Sequence, residues 1–532
     1  MACTTILVGK DASYDGSTII ARNEDSANGE FNPKRFIVVK PEEQPREYKS
    51  VISHLTITLP DDPLQYTAVP NADLKEGIWG EAGVNVAMSA TETLTTNERV
   101  LGADPFVEYT PAKGDEPEVP GGIGEEDFLT IVLPYVKTAR EGVQRLGALL
   151  EEFGTYEMNG VAFSDSNEIW WLETVGGHHW IAKRVPDEAY VTMPNQLGID
   201  EFDLEDALGD QEAHMCSEDL AEFIETNHLD LAVENTTPFN PRDAFGSHSD
   251  SDHVYNTPRA WYMQRFLNPY DEVWDGPDAD HKPNSDDIPW CRQPDRKISM
   301  EDVKYILSSH YQETPFDPYG SLGDAASRTR FRPIGINRTN HLAVMQIRPY
   351  RPQVNRAVQW LAYGSNPFNA MVPFFPNVDD TPAYLRDTTT RVTSENFYWA
   401  NRLIGVLCDA QFAETANAVE TYQQKVGALG HAMVRAADEQ VNRLGGTAVL
   451  EAASREREAN AEFAEDELVE DVQPMSPDEI ITAVRNPEVR EVLATANDDL
   501  ARKLKKETEK LLDSALFTSS LAMKNHFAMS DN

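Results

Sequence analysis

The sequence predicts an α+β protein on three observations. Short β-branched and apolar runs separated by turn residues crowd the first two hundred positions. A single helical pattern interrupts them near residue 125, and from about residue 382 the pattern becomes long, amphipathic and mostly glycine-poor. A strand-rich first half followed by a block of long helices agrees with an α+β chain.

The elements follow in order. Residues 4–8 are β-branched and apolar, Tyr14-Asp15-Gly16-Ser17 signals a turn, and a second strand begins at residues 18–21. Further strands are expected at 36–39, 51–59, 84–90, 160–163, 169–173 and 179–182. Glu125-Glu126-Asp127 opens a helix whose apolar period runs to Leu150 and closes at Gly154; acidic residues suit a helix N-terminus. Residues 200–300 are polar and loop-rich and read as insertions. Strand-like sequence returns at 341–348 and 357–363, and long helices are expected at 395–413, 417–444 and 487–517. The acidic stretch 456–471 reads as a solvated helix face or linker. This gives a body over residues 1–380 and a helical C-terminal region over 381–532, without internal repeats.

Composition narrows the function. Of 532 residues, 46 are Lys or Arg and 89 are Asp or Glu, a formal charge of −43 that repels nucleic acid and anionic lipid. Neither is expected as a partner. Four scattered cysteines, Cys3, Cys216, Cys291 and Cys408, form no disulfide framework and lack zinc-site spacing. No apolar window approaches the ~18 residues of a membrane span, so a soluble, cytoplasmic protein is expected. HExxH, GxSxG, Walker A and GxGxxG patterns are absent from the sequence. The cluster His248, Asp250, Asp252 and His253 has metal-like residue types but sits in a loop-like, polar stretch, and the paired His178 and His179 read as structural.

Cys3 is the reactive candidate. If residues 1 and 2 are removed, Cys3 carries a thiol and a free α-amine, and an amine titrating near ~7.7–8.0 is matched to take the thiol proton at neutral pH. The bland alternative is a cysteine packed into the first strand. Methionine removal alone would leave Ala2 in front, so one further cleavage is required. Ile20-Ala21-Arg22-Asn23-Glu24-Asp25 follows the first turn. A hairpin of the first two strands would return Arg22 and Asp25 to Cys3, the cation favouring thiolate and the carboxylate orienting the amine. The same residues also fit a charged turn with a surface ion pair.

Cys-Thr-Thr-Ile-Leu-Val-Gly at the start, the Asp15–Asp25 segment, Gly121-Gly122-Ile123-Gly124-Glu125-Glu126-Asp127, Pro194-Asn195-Gln196-Leu197 and Val254-Tyr255-Asn256-Thr257-Pro258-Arg259 together resemble the cysteine dipeptidases of peptidase family C69. These are N-terminal-nucleophile hydrolases related to choloylglycine hydrolases and penicillin V acylases. The resemblance runs from Cys3 to about residue 400. It implies a four-layer αββα sandwich with an added C-terminal helical region, a dipeptide substrate, and no metal or organic cofactor. It implies Cys3 as nucleophile, Arg22 and Asp25 as its charged neighbours, and Asn195 as an oxyanion donor. Gly323-Asp324-Ala325-Ala326-Ser327-Arg328-Thr329-Arg330-Phe331 is similar to the relatives' arginine-bearing segment and implies Arg330 as a site residue, with Arg328 its alternative on a register shift. Ala90 stands where the bile-salt hydrolases carry a second oxyanion asparagine. An amidase of the same superfamily acting on N-acyl amino acids or bile-salt conjugates is the alternative function, and a non-catalytic scaffold a more distant one. The helical tail suggests a homo-oligomer.

Overall fold

The computed structural model describes residues 3–27, 30–85, 87–91, 97–230, 239–444 and 486–525. The acidic stretch 456–471 and residues 1–2 lie outside these, as does the side chain of Ala90. The chain is α+β. Seven antiparallel strands form one sheet in the order Cys291–Arg292, Tyr190–Met193, Thr4–Val8, Thr18–Asp25, Thr339–Ile347, Ala357–Tyr363, Val372–Phe374. Six form a second sheet in the order His214–Cys216, Trp180–Arg184, Ile169–Thr174, Gly160–Ser164, Ala87–Thr91, Ala82–Val84.

Strand alternation sorts the side chains into three cores. Leu7, Ile20, Met193, Ala343 and Met345 of the first sheet share one core with Ala162, Trp171 and Ile181 of the second. The intervening residues Ile6, Val8, Ile19, Ala21 and Val344 turn the other way, against Met263 and Val303 of the helices Thr257–Leu267 and Met300–Leu307. Val161, Phe163, Trp170 and Leu172 pack on Val143, Leu146 and Leu150 of the helix Ala139–Phe153. Period-two alternation with both faces apolar therefore packs each sheet against the other on one face and against helices on its opposite face. Each fully buried large apolar side chain contributes about 1.5–3 kcal/mol, so all three cores hold the sheets in place.

Several sequence expectations shift in detail. The helix expected over 125–150 is two, Glu125–Val132 and Ala139–Phe153, separated by the 3₁₀ turn Leu133–Tyr135. Pro134 has no N–H to continue the first helix, and Thr138 starts the second by accepting from the Glu141 N–H at 3.1 Å. The strand expected at 84–90 is a hairpin of Ala82–Val84 with Ala87–Thr91. The strand expected at 51–59 shortens to Thr56–Thr58, paired with Glu47–Lys49. Residues 200–300 are not insertion alone, because they contribute the buried helix Thr257–Leu267 to the outer face of the first sheet. The late helices Phe397–Asp409, Phe412–Leu444 and Pro487–Leu521 place Ile404, Tyr422 and Leu504 in the inter-sheet cluster and Val441 and Leu493 in the outer one. Among the described residues no helix is long and apolar enough to cross a membrane.

Candidate active site

Cys3 sits one residue ahead of the central strand Thr4–Val8, and Thr5 lies opposite Arg22 in the antiparallel register. Alternation then sends Cys3, Arg22 and Glu24 to the inter-sheet side and Thr4, Asn23 and Asp25 to the helix side. Cys3 and Arg22 are both buried, and Arg22 Nη2 lies 2.5 Å from Cys3 Sγ. The same guanidinium donates to Glu81 Oε2 at 2.5 Å and, through Nη2, to Glu125 Oε1 at 3.1 Å. Glu125 is the first residue of the helix Glu125–Val132, and Glu81 immediately precedes the strand Ala82–Val84, so both carboxylates come from the second sheet's side of the molecule.

Burial pushes the Cys3 thiol up to about 12, and the adjacent Arg22 charge only partly opposes it. At pH 7 such a thiol is ionised in only about one molecule in 10⁵, so proximity to Arg22 does not by itself make a thiolate. A base is required. Glu24 has a different environment: although burial raises its pKa, Lys34 Nζ at 2.6 Å and His341 Nδ1 at 2.8 Å hold the carboxyl well below the usual range.

Asp25 is engaged on the helix side, where Thr339 Oγ1 donates to it at 2.6 Å and Arg332 Nη2 donates to its other oxygen. The hairpin brings Asp25 near the first strand's start, but its side chain points away from the face that carries Sγ. Asn195 follows the strand Tyr190–Met193, which pairs with Thr4–Val8, and its Oδ1 accepts from Arg259 Nη2 at 2.8 Å. Arg259 also donates Nη1 to the Cys3 carbonyl and to Thr4 Oγ1 at 2.7 Å, Nη2 to Asn256 Oδ1 at 2.6 Å, and Nε to the Tyr255 carbonyl at 2.9 Å. The Asn195 loop is held from the other sheet by Glu173, whose Oε1 accepts from Gly198 N–H at 2.7 Å and Trp171 Nε1 at 2.9 Å. Burial raises the Glu173 carboxyl to about 7 despite these donors.

Arg330 is not brought into this cluster. It is exposed, with its guanidinium 5.2 Å from the Phe331 ring centre, and Arg328 bonds the Leu322 and Gly323 carbonyls. Arg328 lies in the 3₁₀ turn Ser327–Thr329 and Arg330 directly follows it, whereas the guanidinium that bonds the Cys3 carbonyl is that of Arg259. In the metal-like cluster Asp252 accepts from Ser247, Ser249 and Asn256, and His253 Nε2 pairs with Asp286 at 2.7 Å. Those residues terminate and brace short helices.

The model of peptidase family C69 matches residues 2–425. The chain belongs to peptidase family C69. It is a peptide-bond hydrolase. It is 84% identical over 534 residues to a protein of Bifidobacterium longum (strain NCC 2705) named dipeptidase, with both chains fully covered. It is 51% identical over 534 residues to a probable dipeptidase A of Streptococcus pyogenes serotype M3 (strain SSI-1), again covering both chains. A dipeptidase A of Lactobacillus helveticus is 45% identical over 450 residues, 84% of this chain and 90% of that one.

Two charged residues of this C69 peptidase touch Arg22 or Cys3 without having been singled out by sequence reasoning. Arg259 lies in the Val254–Arg259 segment, which carries a family resemblance but no evident chemistry. Glu81 follows Trp79-Gly80, whose only sequence signal is a glycine. Glu125 was legible as a helix opener, yet it is fully enclosed rather than a solvated dipole partner.

Proposed function

We propose that this C69 peptidase is a cysteine dipeptidase with an N-terminal-nucleophile fold, in which Cys3 becomes the terminus after residues 1–2 are removed. The buried Cys3 thiol against Arg22 on the inter-sheet side, with Arg259 bonding both the Cys3 carbonyl and Asn195, is the observation that carries this reading. The names of its relatives and the layering of two antiparallel sheets between helices support it, with residues 1–380 as the catalytic body and 381–532 as its helical extension.

In this mechanism the Cys3 α-amine accepts the thiol proton, directly or through water. Sulfur attacks the dipeptide carbonyl carbon, and the carbonyl electron pair moves to oxygen, where the Asn195 Nδ2–H faces it. Such a donor is worth about 2.7–4 kcal/mol of transition-state stabilisation. The bond from Arg259 to Asn195 Oδ1 orients the amide so that its N–H is the end presented to substrate. The protonated amine then gives its proton to the leaving amino group as the C–N bond breaks, leaving a thioester. Water, deprotonated by the same amine, adds to the thioester and expels the Cys3 sulfur. Arg22 offsets part of the burial cost of the thiolate, and Asp25 neutralises Arg332 beside Arg259.

Intact mass with N-terminal sequencing tests the reading directly. A terminus at Cys3 in active protein is expected. Full activity with a homogeneous terminus at Met1 or Ala2 would overturn the amine-as-base step, and hydrolysis of N-acyl amides in preference to dipeptides would move the substrate to the amidase class.

A further inference from the structure

Glu81 is one of the buried carboxylates close to Cys3. Its side chain is wholly enclosed, Oε2 takes the Arg22 Nη1 bond, and Oε1 is buried with no hydrogen-bond partner. A buried unpaired carboxylate oxygen is costly, on the order of 1–3 kcal/mol or more. The backbone pays again: Glu81 sits at φ 62° and Trp79 at φ 48°, on either side of Gly80, in the left-handed region that non-glycine residues avoid. Two strained residues thus deliver this carboxylate to the nucleophile's neighbourhood. The charge balance there is uneven. Glu24, on the same face, pairs with Lys34, whereas Glu81 pairs with Arg22, a guanidinium that also bonds Glu125 and Cys3.

The geometry selects what would complete the set. Cys3 Sγ and Glu125 Oε1 both bond Arg22 Nη2, and Glu81 Oε2 bonds Nη1 of the same planar group, so the carboxylates lie within two hydrogen bonds of sulfur. In a dipeptide the α-nitrogen is only about 2.5 Å from the carbon that sulfur attacks. Placing that carbon on Sγ therefore brings the α-ammonium within reach of the carboxylates that share Arg22 with sulfur.

We infer that Glu81, seconded by Glu125, is the recognition site for the free α-ammonium of the substrate, and that it restricts the enzyme to peptides with an unblocked amino terminus. The inference rests on the dipeptidase reading above and adds the residue that reads the amine. The ammonium donates to Glu81 Oε1, the carboxylate oxygen left without a hydrogen-bond partner, and fixes the carbonyl over sulfur. Burial and the Glu125 charge raise the Glu81 pKa well above the ordinary carboxylate value in the absence of such a cation, which agrees with a site that ionises fully as the ammonium arrives.

The test compares alanyl-alanine with propionyl-alanine, which differs by loss of the amine. The wild-type enzyme is expected to prefer alanyl-alanine by at least about 100-fold in kcat/KM, since a site built to bond a group rejects analogues lacking it. Glu81→Gln is expected to shrink that ratio at least about tenfold, mainly through a higher KM for alanyl-alanine. An unchanged ratio in a folded Glu81→Gln enzyme overturns the assignment while leaving the dipeptidase reading intact. If that variant fails to fold, the wild-type comparison still decides: cleavage of both substrates within about threefold overturns the inference. Cleavage of neither strikes the dipeptidase reading itself, and the inference falls with it.

Discussion

Arg259→Lys isolates the residue that links the backbone of the proposed nucleophile, Cys3, to the proposed oxyanion donor, Asn195. Arg259 is fully buried and makes five hydrogen bonds, to the carbonyls of Tyr255 and Cys3, to Thr4 Oγ1, and to the side-chain oxygens of Asn195 and Asn256. A lysine ammonium has three donors and no planar fork, so at least two of these acceptors lose their partner. At about 1–3 kcal/mol for each stranded acceptor, the variant is expected to lose about 2–6 kcal/mol of stability. The catalytic cost is separate. With Asn195 Oδ1 released, the carboxamide no longer presents its N–H reliably, and kcat is expected to fall by about 10²–10³ with little change in KM. Kinetics of Arg259→Lys, Asn195→Ala and the double variant, on protein shown folded by thermal melting, form the assay. If Arg259 acts through Asn195, the double variant is barely worse than Asn195→Ala alone. Fully multiplicative losses, or an Arg259→Lys kcat within about threefold of wild type, would refute the coupling.

Four further outcomes are expected. Cys3→Ser should abolish nearly all turnover yet melt within about 1 kcal/mol of wild type, checked by steady-state rates and calorimetry, because it replaces one small buried group with another. In protein that retains residues 1–2, alkylation of Cys3 by iodoacetamide should be very slow at pH 7 and rise about tenfold per pH unit up to about 10, since burial holds the thiol at about 12. Arg330→Gln should leave kcat/KM within about twofold, because the side chain is exposed and away from Cys3; a large loss would restore the role that the sequence resemblance implies. Glu173→Gln should gain stability relative to wild type as pH rises. The folded carboxyl at about 7 binds a proton that the unfolded chain releases near 4.5, so wild-type stability falls through that window, by about 3 kcal/mol in all, whereas glutamine does not titrate. Denaturation midpoints at pH 5 and pH 8 check the difference.

The strands and late helices were legible because they rest on local patterning: the strand runs at 4–8, 160–163, 169–173 and 357–363 recur in the structure, two of them one residue longer, and the helices expected at 417–444 and 487–517 are present and extended. The break at Pro134 carries a sequence signal that the continuous apolar period masks. The hairpin at 82–91 does not, since its turn at Asn85 interrupts an otherwise unbroken strand-like run.

What the sequence by itself determined was Cys3 with Arg22. A short turn joins two adjacent strands, and register plus period-two alternation follow from nearest neighbours alone. The same alternation, carried three residues further, already turns Asp25 to the opposite face. Only the tertiary structure decided the rest. Arg259 reaches Cys3 across 256 positions and Glu81 reaches Arg22 across 59, contacts that no local period encodes. Burial, too, belongs to the assembled sheets. Burial of the one cysteine between packed sheets outweighs the neighbouring arginine and keeps the thiol protonated until a base is supplied.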